Sequence, residues 1–129
     1  MKVIDGKGIV MGRIASYAAK EALKGEDVKI INCDEVIITG NKERIKEDLR
    51  IKRSRVGSSQ KGPKYPRSPE RMVKRAVRGM LPEHRWGRGR VAMKRIICYN
   101  GFPKELEKEK IISLDIKEKI KSTKIREFK

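Results

Sequence analysis

Long apolar runs are missing from this chain: the longest is the four residues Ile96 to Tyr99, far below the roughly 18–20 that cross a bilayer. No membrane contact through a spanning segment is expected. With Lys2, Asp5 and Lys7 interleaved at the start, the apolar stretch of a secretory signal is lacking too, so the expected location is the cytosol. Cysteine and histidine are scarce, at 2 and 1, which leaves no CxxC or Cys/His set for zinc. Cys33 and Cys98 fall in apolar, strand-like runs and read as small buried hydrophobes. Aromatic residues are only 5%, too few for a stacking platform of the RNA-recognition-motif type. Carboxylates are also short: 17 Asp and Glu face 34 Lys and Arg, a net charge of +17, and a polyanion is the partner that such an imbalance fits. With 129 residues the chain is expected to form a single domain, 1–129, since two cores would each sit near the lower size limit for unaided folding.

The excess charge is concentrated. Residues 1–49 carry 9 basic and 9 acidic side chains, residues 50–95 carry 16 and 2, and residues 96–129 carry 9 and 6. Of the 14 arginines, 11 lie in the middle segment, and arginine is the cation whose planar fork grips phosphate. The Lys/Glu mixture of Lys104 to Lys110 reads as ordinary solvated surface.

Along the chain, Lys2 to Asp5 reads as a short strand ending at Gly6. From Met11 the apolar positions 11, 14, 15, 18, 19, 22 and 23 make a helical stripe with Gly25 as its stop. Val28 to Cys33 and Val36 to Thr39 are β-branched runs separated by Asp34 and Glu35; they either pair as a hairpin or the second extends away from the first. Asn41 caps a helix with Ile45 and Leu49 on one side. Residues 52–68 then form a basic arm with six cations and only Val56 and Tyr65 as hydrophobes, expected to gain order from what it binds; a mere linker would not need that charge. Ser68-Pro69 starts a helix in which apolar residues at 72, 73, 76, 77, 80 and 81 oppose Arg71, Lys74, Arg75 and Arg78, because about 100° per residue separates the two sets into opposite stripes. The alternative is a solvated basic face with no partner. Pro82 to Arg90 reads as a Gly/Arg loop whose Trp86 either stacks on a base or sugar or covers the core, the second being the general case for aromatics. Val91 to Arg95 is a helical turn, Ile96 to Tyr99 a buried strand, and 104–129 a C-terminal tail with Ile111 to Leu114 as its apolar run.

Gly6, Gly8 and Gly12 after the first strand, with Asp34 and Glu35 a strand farther on, mimic a dinucleotide-binding turn. The glycine spacing is one residue too long, and no room remains for a substrate domain or a nucleophile–base pair. A small dinucleotide-binding enzyme is therefore the alternative reading; a DNA-binding architectural protein is another, since charge alone does not separate the nucleic acids.

Six segments carry a family resemblance: Val3 to Gly6 (VIDG), Met11 to Ser16 (MGRIAS), Val36 to Gly40 (VIITG), Gly62 to Pro69 (GPKYPRSP), Arg78 to Pro82 (RGMLP) and Tyr99 to Pro103 (YNGFP). In this order they resemble the universal large-subunit ribosomal protein L-thirteen family, in its archaeal and eukaryotic branch. The resemblance implies an α/β fold of three layers, α/β/α, around a small, mostly parallel sheet of about four strands. It also implies a non-enzymatic part of the large ribosomal subunit that binds large-subunit rRNA beside neighbouring ribosomal proteins, without cofactor, metal or small-molecule substrate. Eukaryotic members continue further at the C-terminus, and contacts of that extension are not transferred. The residues expected to meet RNA phosphates are Arg50, Lys52, Arg53, Arg55, Lys61, Lys64 and Arg67 on and before the arm, Arg71, Lys74, Arg75 and Arg78 on the helix stripe, and Arg85, Arg88, Arg90, Lys94 and Arg95 beyond it.

Overall fold

The computed structural model describes residues 1–114 and 121–129. Strand β1 (Lys2–Asp5) buries Val3 on one face and Ile4 on the other, the mark of a central strand that needs cover on both sides. It lies between β2 (Val28–Ile31) and β5 (Ile111–Ile112), and β4 (Ile96–Cys98) completes the order β4-β2-β1-β5 with every pairing parallel. The register sets Ile4 beside Ile30 and Val28 beside Ile96, so their side chains share one face.

That face carries the main core. Helix α1 (Met11–Leu23) turns Ile14, Ala15, Ala18, Ala19 and Ala22 inward, and the small alanines let α3 (Pro69–Met80) and α4 (Gly87–Lys94) approach it closely. Gly25, with φ +103°, ends α1 in the left-handed region as its position in the stripe anticipates. Helix α2 (Lys42–Ser54) is capped by Asn41, whose side-chain oxygen accepts from the amides of Glu43 at 2.9 Å and Arg44 at 3.4 Å, and it buries Leu49. The opposite face of the sheet is covered by a thin layer, in which Val3 and Ile31 pack with Leu106 and Tyr99. The result is the expected three-layer α/β fold, with most of its helical mass on one side.

The two β-branched runs do not form a hairpin. A 3-10 turn at Cys33–Glu35 redirects the chain, and β3 (Ile37–Thr39) pairs antiparallel with β6 (Ser122–Lys124). The tail is likewise more than surface. Lys104, Glu105 and residues 107–110 are exposed as expected, but β5 joins the sheet, and Ile125 and Phe128 are 0% and 3% exposed in the main core. Two of the predicted elements shift. The buried strand at Ile96 is a sheet edge, with Ile97 41% exposed. Helix α4 begins at Gly87, so Gly87 to Arg90 are helix instead of loop. Gly89 explains this: it is buried against the Pro82 carbonyl, where a Cβ would lie 1.5 Å from the oxygen, so glycine serves a close approach. Of the tail expectation, residues 115–120 lie outside the described residues.

Cys33 is buried and Cys98 half-buried, both as free thiols at the C-terminal ends of β2 and β4, where the Cys33 amide donates to the Tyr99 carbonyl at 3.1 Å. The Cys98 thiol and burial push the Cys33 thiol up, and the hydrogen bond from Cys33, helped by Lys74, holds Cys98 below the ordinary thiol range.

Glu21 is the one buried carboxylate of the described residues, 4% exposed on the last turns of α1. It pairs with Lys2 of β1 and, at 2.8 Å, with Lys24, tying the start of the sheet to the helix. The Lys2 hydrogen bond, then that of Lys24, holds its carboxyl down from 4.5 to about 2. A depressed folded-state value stabilises the fold above the ordinary value and is lost as pH falls through the folded one. Glu21→Gln is therefore expected to lower stability to urea at neutral pH, and its deficit against the parent chain should shrink between pH 4.5 and about 2. A deficit unchanged over that range in paired denaturation curves would mean that the pair does not stabilise the fold.

Candidate nucleic-acid interface

Helix α3 forms where the sequence places it. Pro69 occupies its first turn after Ser68, and Met72, Val73 and Val77 are buried against α1 and the sheet. On the other side Arg71 is exposed and Lys74, Arg75 and Arg78 are half-buried. Together with Lys64, Pro66 and Met93 these four cations line a groove of about 270 Å³.

The arm is anchored to this groove. Lys52 to Ser54 continue α2, and the chain from Arg55 doubles back: the Gly62 amide donates to the Val56 carbonyl at 2.9 Å, and a Cβ on Gly57, which has φ +69°, would lie 2.4 Å from the Gly62 Cα. Tyr65 is the hinge pin of the arrangement, its ring 4.5 Å from the Arg75 guanidinium and 5.7 Å from the Lys52 ammonium. Arg75 also donates to the Lys64 carbonyl at 3.4 Å. These contacts set Lys64 between two depressions, the α3 groove and a second of about 340 Å³ lined by Arg53, Arg55, Lys64 and Arg67. Among the described residues, neither depression has a carboxylate in its lining.

Arg53 differs from its neighbours. It donates to the Pro66 carbonyl at 3.3 Å, and its Nε is buried without a hydrogen-bond partner among the described residues. Its position is that of a strut between α2 and the arm. A third cavity, of about 430 Å³, adds Lys46, Arg50, Arg53 and Arg67 beside Glu127, Phe128 and Lys129. Lys46 and Lys129 are absent from the sequence-based set, although Lys46, Arg50 and Arg53 stand at i, i+4 and i+7 on α2; Lys129 reaches the cavity only because the tail folds back.

The remaining predicted residues scatter more widely. Lys61 is exposed in the turn of the arm, Arg85 precedes α4, Arg88 and Arg90 are exposed on its first turn, and Lys94 is exposed on its last. Arg95 is half-buried near Gly25 at the other end of the fold. Trp86 does not cover the core: it is 67% exposed. Of the sixteen predicted cations, Arg50 alone is ion-paired among the described residues, to Glu47 at 2.8 Å.

The glycine turn has no capacity left for a pyrophosphate. The Gly6 amide donates to the Ile31 carbonyl at 3.0 Å and the Gly8 amide to the Glu35 carbonyl at 3.1 Å. A Cβ at Gly6 would meet Val36 at 2.7 Å, so chain already fills the space over the turn. The carboxylates that would take a ribose are engaged as well, Asp34 by the Gly101 amide at 3.2 Å and Glu35 by Lys124 at 3.3 Å. These glycines serve backbone packing, which removes the basis of the dinucleotide-enzyme reading.

Fold and surface together define an α/β protein with a parallel four-stranded sheet and a cation-lined face. The profile of the family described as Ribosomal protein L13 matches residues 1–105. The chain is 41% identical over 115 residues to the large ribosomal subunit protein uL13 of Thermoplasma acidophilum, covering 89% of this chain and 83% of that protein. It is 42% identical over 116 residues to that of Methanosphaera stadtmanae, with 88% and 81% covered, and 48% identical over 109 residues to that of Methanopyrus kandleri, with 84% and 67% covered. The chain belongs to the ribosomal protein L13 family, as the six sequence segments anticipate.

Two arginines separate a strut from an exposed side chain. Arg53→Ala is expected to cost about 1.5–3 kcal/mol in urea denaturation, the scale of a hydrogen bond from a charged group, whereas Arg71→Ala should stay within about 0.5 kcal/mol as an exposed substitution. Equal losses would mean that Arg53 is not a strut.

Proposed function

We propose that this chain is a structural component of the large ribosomal subunit that binds large-subunit rRNA and supports subunit assembly, through a cationic surface made of the α3 stripe, the arm and the start of α4. One observation carries the reading: two adjoining depressions share Lys64, are lined by cations, and have no carboxylate of their own among the described residues. Such a surface is repelled by itself and relieved by phosphates. Recognition is then mainly of folded RNA shape and backbone. Arg55, Lys64, Arg67, Arg71, Lys74, Arg75 and Arg78 form the contiguous part of the contact; Arg85, Arg88 and Arg90 extend it. Neighbouring large-subunit proteins complete the surroundings. A DNA-binding architectural role rests on charge alone, and competition between folded rRNA and duplex DNA separates the two.

Affinity for rRNA should fall steeply with salt, each neutralised phosphate adding a log–log slope of roughly −0.7 to −0.9. Replacing Arg71, Lys74, Arg75 and Arg78 together by Gln is expected to make that slope shallower by about 3. Thermal stability should change little, since losing the Arg75–Tyr65 contact costs about 0.5–1 kcal/mol and removing the like-charge repulsion offsets it. A flat salt curve for the parent chain would sink the reading.

A further inference from the structure

Trp86 is the single tryptophan of the chain and its most exposed large hydrophobic side chain among the described residues, at 67%. Exposure of one apolar residue needs no explanation by itself; the support beneath this one does. Its amide donates to the Glu83 carbonyl at 3.1 Å, and its own carbonyl accepts from the Arg90 amide at 3.3 Å. The turn is further locked at Gly89, where the helix backbone touches the Pro82 carbonyl too closely for any side chain. Trp86 is thus held in extended conformation at the cap of α4, on a fixed mount. Beside it, Gly87 has φ +59° and open space where a Cβ would stand, so no side-chain wall rises at that position. In sequence Trp86 is flanked by Arg85 and, two residues on, Arg88, both exposed and without ion pairs among the described residues.

An exposed indole on a fixed backbone, with Arg85 just before it and Arg88 two residues after it in the chain, suits a ligand with a flat π-face and negative charge beside it. We propose that Trp86 is a stacking site for one unpaired nucleobase, with Arg85 and Arg88 taking the adjacent phosphates. The proposal rests on the RNA-binding reading above and adds to it a contact that requires a base. The base must be unpaired or splayed out, because in an A-form helix both faces are taken by neighbouring bases. An apolar protein partner would gain little from exposed arginines at 85 and 88, whereas a nucleotide uses them together with the ring.

Tryptophan fluorescence of the full chain, excited at the red edge where its three tyrosines do not absorb, reports on this site alone. Titration with single-stranded oligoadenylate is expected to quench the emission, and inorganic polyphosphate of matched charge, binding in a parallel calorimetric titration, should leave it nearly unchanged. Trp86→Ala should weaken oligoadenylate binding by roughly 5- to 100-fold, the range of one base–aromatic stack, with little effect on polyphosphate; Trp86→Phe should keep most of the affinity. Oligoadenylate binding without quenching, and of equal strength in Trp86→Ala, overturns the stacking site and leaves the RNA-binding reading standing. If neither oligoadenylate nor folded rRNA binds at low salt, the RNA-binding reading fails and the stacking site with it.

Discussion

Repulsion along α3 is the constraint to which the rest of the molecule answers. Arg71, Lys74, Arg75 and Arg78 stand three and four residues apart on one helix, where each like-charged pair costs on the order of 0.2–0.5 kcal/mol. Met72, Val73 and Val77 are buried on the opposite side, and full burial of such side chains contributes about 1.5–3 kcal/mol each. Burial therefore wins, and the helix persists with its four cations free of ion pairs among the described residues. The other elements are arranged to protect that outcome: the alanine face of α1 receives the apolar stripe, and Tyr65 offers its ring to Arg75, softening the repulsion without cancelling the charge.

Much of this was legible in the residue order. Helices α1 and α3, the Asn41 cap and the stripe all follow from periodicity and local capping chemistry. What was not legible depends on partners distant in sequence. Strand β5 has two residues and pairs with β1 from more than a hundred positions away; no local pattern distinguishes it from the surrounding Lys/Glu surface. Ile125 and Phe128 are isolated apolar residues amid charge, and only the β3–β6 pairing delivers them to the core. Gly87 and Gly89 read as loop because glycine opposes helix in general, yet one supplies a left-handed φ and the other a close approach. Trp86 follows a burial rule that its mount on α4 overrides.

The site was legible as a composition and less so as a geometry. Arginine density in residues 50–95 marked the region, but nothing in residue type separates Arg53, which braces the arm, from Arg71, which faces water. The glycine turn shows the converse. Gly6 and Gly8 have the form of a nucleotide-binding turn, and the difference lies in where their amides point: toward the Ile31 and Glu35 carbonyls of the same chain. A motif of glycines specifies a backbone path, and the partner of each N–H decides what that path is for.

The burial of Ile125 and Phe128 has a consequence for biogenesis. Residues 50–95 leave the exit tunnel well before the segment that plugs the hydrophobic centre, so for tens of residues of synthesis the nascent chain displays its cations on an unfinished body. The core therefore receives its last two buried side chains, Ile125 and Phe128, only after the cationic segment has been made.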